Sequence, residues 1–337
     1  MSLPPRKLAI APMLDWTDRF YRYFARQITK HTWLYTEMVN TGAILHGNQE
    51  RHLKFDECEH PVALQLGGSE RNDLAACAKI AQEWGYDEVN LNVGCPSERV
   101  QSGAFGACLM AEPDHVADCL KAMQDQVSIP VTIKHRIGID DVESYDYLRE
   151  FVANVAQKSE TTVFIVHARN AILKGLSPKE NREIPPLKYD YVYRLKAEFP
   201  ELEILINGGI KTLPDTFTHL QHVDGVMIGR EAYHNPYLLA NVDAEIYGDD
   251  HPVLSREEVI ANIMPFVEGC IAEGVPLRHI SRHILGLYQG LPGARHWRRQ
   301  LSDANLLKAN QASLISETVK LMEAHLSRRF EQMDEIS

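Results

Sequence analysis

Cys95 stands in Leu91-Asn92-Val93-Gly94-Cys95-Pro96-Ser97, where an apolar run gives way to a thiol held between a Gly and a Pro. Those neighbours impose a sharp turn. A thiol near its reference pKa of about 8.5 is mostly protonated at neutral pH, so it can act as a general acid or, deprotonated, as a nucleophile. A buried, inert cysteine is the bland alternative. Lys134 closes another apolar run. It reads as a Schiff-base lysine, as a fixed positive charge beside an anionic reduced flavin, or as half of an ion pair. His167 closes a third run and is placed for a ligand hydrogen bond. Asn207-Gly208-Gly209 and Gly229-Arg230 close two more. Glycines let backbone N–H groups approach an anion, a helix start adds its positive end, and Arg230 offers a bidentate contact, although the same glycines suit plain tight turns. Ala11-Pro12-Met13, Gln65, Asn90, Asn92, Arg136 and Arg169 complete the set at the ends of apolar runs. Unpaired polar groups are costly to bury, so the set predicts a wet or ligand-filled mouth. Gly103-Ala104-Phe105-Gly106, glycine-spaced beyond Cys95, reads as a mobile lid.

Eight short runs must carry these residues: 8–13 (LAIAPM), 33–38 (WLYTEM), 62–66 (VALQL), 88–93 (EVNLNV), 131–135 (VTIKH), 163–167 (VFIVH), 204–207 (ILIN) and 225–228 (GVMI). Most are continuous apolar runs, as expected of parallel strands covered on both faces. Helical stretches fall between them: 69–84 with Ser69 at the N-cap, 113–125 and 144–158. Eight β/α alternations predict an α/β fold, a (β/α)8 TIM barrel over residues 1–247. Such barrels build their sites at the C-terminal strand ends and bind phosphate after strands seven and eight. A doubly wound sheet is the alternative, weakened by the absence of GxGxxG. Beyond Ser255 no strand pattern recurs. Residues 257–273, 277–288 and 311–331 read as helices, broken by Gly274, Pro276, Pro292 and Gly293. This predicts a C-terminal all-helical domain over residues 248–337.

The chain has 337 residues, 45% hydrophobic and 24% charged, the proportions of an ordinary globular protein with a large core. None of its six cysteines is spaced CxxC, so neither a zinc ribbon nor a thioredoxin motif is expected, and no metal site. No apolar span approaches the ~20 residues of a membrane helix, and no signal-peptide core follows Lys7, which predicts a cytoplasmic protein without membrane association. The net charge of −11 argues against a general nucleic-acid coating protein. Its distribution is uneven. Residues 274–302 contain no Asp or Glu, yet hold Arg278, Arg282, Arg295, Arg298 and Arg299 with His279, His283 and His296. Arg278 and Arg282, four apart, share a helix face. Arg295, Trp297, Arg298 and Arg299 mix cations with an aromatic ring, which suits phosphate contact and base stacking; a solvated helix face is the alternative. Lys174, Lys179 and Arg182 form a second basic loop after His167.

At these residues the sequence resembles the tRNA-dihydrouridine synthases. Ala11-Pro12-Met13-Leu14-Asp15-Trp16-Thr17-Asp18 is similar to that family's first barrel loop, and Asn90-Leu91-Asn92-Val93-Gly94-Cys95-Pro96-Ser97 to its catalytic-cysteine motif. Gln65, Lys134, His167, Asn207-Gly208-Gly209 and Gly229-Arg230 follow in the family's order, and the likeness spans essentially the whole chain. Within the family, the cysteine motif and Arg295-His296-Trp297-Arg298-Arg299 are most similar to the bacterial A-type branch, which reduces uridines 20 and 20a of the tRNA D-loop. The resemblance implies bound FMN, with Pro12, Met13 and Leu14 against the isoalloxazine. It implies Gln65 and Lys134 hydrogen-bonded to that ring, and His167, Asn207, Gly208, Gly209, Gly229 and Arg230 at the ribityl phosphate. It implies NADPH as a transient reductant, hydride transfer from flavin N5 to uracil C6, and Cys95 as the acid at C5. Asn92 is implied as a contact to the substrate nucleotide, and Lys179, Arg182, Arg295, Arg298 and Arg299 as tRNA contacts. A monomer needing no protein partner is expected.

Three other chemistries share parts of this pattern. A small-molecule FMN oxidoreductase of the dihydroorotate-dehydrogenase type would have the barrel and phosphate site, without need of a basic helical tail. A Schiff-base aldolase would use Lys134 and no flavin. A non-catalytic RNA-binding module leaves Cys95 and the strand-end polar residues without a purpose.

Overall fold

A computed structural model describes residues 3–97, 103 and 105–334. Eight strands form one parallel sheet: β1 (Leu8–Ile10), β2 (Leu34–Asn40), β3 (Val62–Gly67), β4 (Glu88–Val93), β5 (Val131–Arg136), β6 (Val163–His167), β7 (Glu203–Asn207) and β8 (Gly225–Ile228). Their order is β1-β8-β7-β6-β5-β4-β3-β2. Ile10 donates its N–H to the Trp33 carbonyl (2.9 Å) and Trp33 donates to that of Leu8 (3.0 Å), which joins β1 to the start of β2 and closes the barrel. The fold is thus a TIM barrel with a helical C-terminal segment.

The barrel interior is divided. Ala9, Ala11, Tyr35, Ala63, Val163, Ile165, Leu205 and Met227 form a packed apolar cluster on one side. Each large side chain buried there contributes roughly 1.5–3 kcal/mol. The other side is polar. β4 alternates strictly, with Val89, Leu91 and Val93 facing away from Glu88, Asn90 and Asn92. β4 is thus an exception among strands most of which are continuous apolar runs, with its polar positions inward and bonded to Arg6 and to neighbours on β2, β3 and β5.

Helices between the strands begin where the backbone finds side-chain acceptors. Ser144 caps Tyr145–Ser159 by accepting from the Tyr147 N–H (3.1 Å). The expected Ser69 cap is not formed. Helix Arg71–Glu83 starts after Glu70, which makes no capping bond, and Ser69 stands one residue too early.

The chain divides into two compact units, one made of Met1–Thr17 and His31–Gly229, the other of Asp18–Lys30 and Arg230–Ser337. In the second, Asp18 caps helix Arg19–Arg26, and Ser255 with Glu258 forms a capping box at the start of helix Arg256–Ala272. The expected helix 277–288 ends early, at Ile284, and Ala294–Ser302 forms a separate helix not anticipated from sequence. Gly286 follows the end at Ile284, and a Cβ there would lie 2.4 Å from the His234 carbonyl oxygen, so the close approach requires glycine. Trp297 is fully buried in this unit, donates Nε1–H to the Ile284 carbonyl (2.9 Å) and packs on Tyr288 (4.8 Å between ring centres). The expected base-stacking role of Trp297 is overturned, because a ring with no exposed face cannot take a base. Among the described residues no helix is long and apolar enough to cross a membrane.

Candidate active site

The first barrel loop is shaped by Thr17, whose hydroxyl accepts from Met13 N–H (3.0 Å) and donates to the Met13 carbonyl (3.2 Å). This sets Met13 against the apolar barrel cluster and leaves Leu14 64% exposed. Asp15, at φ 64°, donates its N–H to Glu37 within β2 (2.5 Å). Glu37 carried no sequence signal, since it lies inside a strand pattern.

Cys95 follows β4 and is half-buried. Its backbone is held at both ends. The Asn92 carboxamide oxygen accepts from Gly94 N–H (3.1 Å) and Cys95 N–H (3.0 Å), and the Cys95 carbonyl accepts from Ala107 N–H (2.9 Å). The Cys95 Sγ lies 3.6 Å from Ser97 Oγ. Of the expected lid, Ala104 lies outside the described residues. Phe105 is buried, with its ring so close to Gly67 that a Cβ there would come within 2.8 Å of it.

Gln65 and Asn90 are buried, and each has hydrogen-bond partners within the barrel. Gln65 Nε2 donates to Asn90 Oδ1 (2.8 Å), Asn90 Nδ2 to Thr132 Oγ1 (2.8 Å), and Thr132 to Glu88 Oε1 (2.6 Å). Asn92 Nδ2 donates to Gln65 Oε1 (2.8 Å). At the foot of this chain Arg6 binds Glu88 Oε2 (2.6 Å) and Tyr35 donates to Glu88 Oε1 (2.6 Å). Thr132, Glu88 and Tyr35 were not singled out from sequence, because nothing in an apolar-run pattern tells an inward polar residue from an outward one.

Register brings the remaining residues together: Asn92 pairs with Lys134, Arg136 with His167, and His167 with Asn207. The Lys134 ammonium makes no hydrogen bond to another described residue. Burial, then the neighbouring Arg136, pulls its ammonium down to about 7, with Cys95 opposing. Burial also holds the His167 imidazole well below its ordinary range, helped by Arg136, Lys134, Arg169 and Arg182, so His167 is neutral at pH 7. Arg136 is buried and donates to three carbonyls, Gly94 (3.0 Å), Asn170 (2.9 Å) and Asn181 (2.9 Å). Asn181 in turn donates to the Ile172, Leu176 and Ser177 carbonyls, which organises the loop presenting exposed Lys174, Lys179 and Arg182.

Gly208 and Gly209 adopt φ of 121° and 73°, and a Cβ on Gly208 would strike the His167 ring at 2.7 Å, so only glycine fits. Their N–H groups make no hydrogen bond to another described residue. Asn207 Nδ2 is fixed to the Met227 carbonyl (2.7 Å), and Tyr189 donates to the Gly208 carbonyl (2.7 Å). Gly229 follows β8, and a Cβ there would lie 3.8 Å from Ala11 and 3.9 Å from Met13, ordinary contact distances. Arg230, next in the chain, opens helix Arg230–His234 of the second unit. In that unit Arg295, Arg298 and Arg299 are exposed on helix Ala294–Ser302, and Arg298 donates to Gln289 (2.9 Å).

An open groove at the other end of the barrel, lined by Pro4, Arg6, Trp33, Pro130 and Glu203, stands at the N-terminal strand ends. Its charged residues are already paired, Arg6 with Glu88 and Glu203. The chemistry is at the Cys95 end, where a thiol on a fixed loop lies within electrostatic range of Lys134 and Arg136.

Known proteins share this sequence over most of its length. The model of the family described as dihydrouridine synthase (Dus) matches residues 9–324. A tRNA-dihydrouridine(20/20a) synthase of Vibrio parahaemolyticus is 60% identical over 297 residues, covering 88% of this chain and 91% of its own. That of Yersinia pestis is 56% identical over 319 residues, 95% of this chain and 92% of its own. Among solved structures, 2-naphthoyl-CoA reductase with 2-naphthoyl-CoA superposes at a TM-score of 0.54 and 9% identity, over 70% of this chain and 49% of that one. A variant of morphinone reductase with tetrahydroNAD gives 0.50 at 12% identity, over 70% and 85%. These two share the fold alone. With a family model spanning nearly the whole chain and relatives more than half identical to it, the chain belongs to the dihydrouridine synthase family of enzymes.

Proposed function

We propose that the protein is a cytoplasmic, monomeric tRNA-dihydrouridine synthase that reduces the uracil C5–C6 bond of D-loop uridines 20 and 20a, with FMN bound and NADPH as reductant. The observation that carries this reading is Lys134 beside Cys95, a cation whose ammonium bonds no other described residue. Lys134 lies within electrostatic range of Arg136 and Cys95, and no carboxylate of the described residues is among the causes of its shift. An anionic ring system or phosphate is what such a site lacks. The residues fit FMN. The Gly208 and Gly209 N–H groups, which bond no other described residue, and the neutral His167 suit a phosphate end, with Asn207 just before Gly208 and Gly229 and Arg230 following the neighbouring strand β8. Pro12, Met13 and Leu14 supply an apolar ledge for the ring, and Gln65 and Lys134 its polar contacts.

FMN held there would, once reduced, supply the hydride for uracil C6. The rest falls to the chain. Cys95 Sγ holds the proton for C5, on a loop that its backbone bonds keep in one place. Asn92 holds that loop with its oxygen, and we place the substrate nucleotide beside it. Lys134 carries positive charge where negative charge gathers. Lys179 and Arg182, on the loop that Asn181 organises, and Arg295, Arg298 and Arg299 on the second unit contact tRNA phosphate. The test is to purify the protein, identify its bound chromophore, and incubate it with NADPH and unmodified tRNA. Bound FMN with dihydrouridine at positions 20 and 20a is the expected result. A colourless protein that takes up no FMN, or one that leaves those uridines intact, refutes the reading.

A further inference from the structure

The interior hydrogen-bond chain has a direction, and both of its ends dictate it. At the lower end, Glu88 is ion-paired to Arg6 and also receives Tyr35 and Thr132, so it only accepts. The Thr132 proton therefore points at Glu88, and its oxygen is left to accept from Asn90 Nδ2. Asn90 must then turn Oδ1 to Gln65, Gln65 must turn Oε1 to Asn92, and Asn92 must turn Oδ1 to the Cys95 loop. At the upper end the partners are the Gly94 and Cys95 backbone N–H groups, which only donate. Flipping any one carboxamide would set donor against donor inside a buried space, where an unmade hydrogen bond is costly. Glu88, Asn90, Thr132 and Gln65 are all essentially without solvent contact, so water cannot repair a reversed link.

We propose that Glu88 is a positioning residue for Cys95: through Thr132, Asn90, Gln65 and Asn92 it sets the one carboxamide orientation that holds the Cys95 loop. The consequence for catalysis rests on the reading above, in which Cys95 delivers the proton to C5. No proton travels along the chain; its work is orientation.

Thr132→Val cuts the chain while leaving the Arg6–Glu88 pair in place, and Thr132→Ser restores the link. Tyr35→Phe removes a different donor to Glu88 and leaves the chain whole. In flavin-free protein, iodoacetamide should alkylate Cys95 about tenfold faster in Thr132→Val, the worth of one ordinary hydrogen bond, and within about twofold of wild type in Thr132→Ser and Tyr35→Phe. In the flavin-loaded enzyme, Thr132→Val should slow uridine reduction by a similar factor and leave flavin reduction by NADPH unchanged. A merely structural role would slow both half-reactions together and would not be rescued by serine, and that result overturns the proposal. So does unchanged alkylation and uridine reduction in Thr132→Val. If Thr132→Val does not fold, side-chain amide exchange in the wild-type protein decides: protected Asn90 and Gln65 carboxamide protons support the chain, and exchange as fast as at exposed amides refutes it. A wild type that reduces no uridine defeats the functional reading, while the alkylation comparison still judges the chain.

Discussion

Lys134 offers the sharpest test of how the site is built. Its ammonium titrates at about 7 in place of the ordinary 10.5, with burial the largest cause and Arg136 the next. At 1.36 kcal/mol per tenfold change in proton affinity, the buried charge costs the flavin-free protein roughly 4–5 kcal/mol. Lys134→Met keeps a side chain of similar length and removes that cost. The sign follows from proton counting. Between pH 7 and 10.5 the unfolded chain keeps the Lys134 proton that the native state has released, so wild-type stability rises with pH across that window, by up to about 1.4 kcal/mol per pH unit. The variant has no such slope. Flavin-free Lys134→Met should therefore unfold at higher temperature than wild type at pH 7, with an advantage that shrinks towards pH 10. With an unfolding entropy of ~2.1 cal/mol/K per residue over 337 residues, an advantage of about 4 kcal/mol is a rise of roughly 6 °C. The FMN-loaded comparison should reverse, because the variant has lost the charge that meets the anion. Thermal unfolding of stripped and loaded protein at pH 7, 8.5 and 10 measures all of this. A flavin-free variant no more stable than wild type at pH 7, or a difference that ignores pH, refutes the account of Lys134 as an uncompensated cation.

Cys95→Ala should leave flavin reduction by NADPH intact and lower uridine reduction by about 10²–10⁴, the usual worth of a general acid; stopped-flow of the two half-reactions separates them, and equal damage to both would make Cys95 structural. Arg298→Ala should weaken tRNA binding and change the slope of log affinity against log salt by roughly 0.7–0.9, the release from one phosphate contact, in a filter-binding series. An unaltered slope would remove Arg298 from the tRNA contacts. Trp297→Ala should cost about 3–5 kcal/mol of stability in the second unit, as expected for emptying a buried aromatic site, with the loss visible in denaturant unfolding in the absence of tRNA. A variant of native stability but weak tRNA binding would return Trp297 to a stacking role.

Much of this protein was legible in one dimension. A parallel strand covered on both faces writes itself as a short apolar run, and eight such runs announced the barrel with their ends at the residues now found around Lys134 and His167. Cys95 was legible because Gly94 and Pro96 leave the chain few ways to pass it. The helix Ala294–Ser302 was not legible, because its long acid-free stretch reads as a charge pattern whether or not it is helical. Trp297 was misread for the same reason: a sequence shows that an aromatic stands among arginines, and only packing shows that it points inward while they point out. Helix Arg19–Arg26 lies early in the chain yet groups with the second unit, a matter of which surface it packs on and not of its own pattern. Glu88, Asn90 and Thr132 show the limit most clearly. Each is an unremarked polar residue in a strand until register sets β3, β4 and β5 side by side. Hydrogen bonds only a few ångströms long then join residues dozens of positions apart, and that proximity is a property of the closed barrel, which no local stretch of the sequence contains.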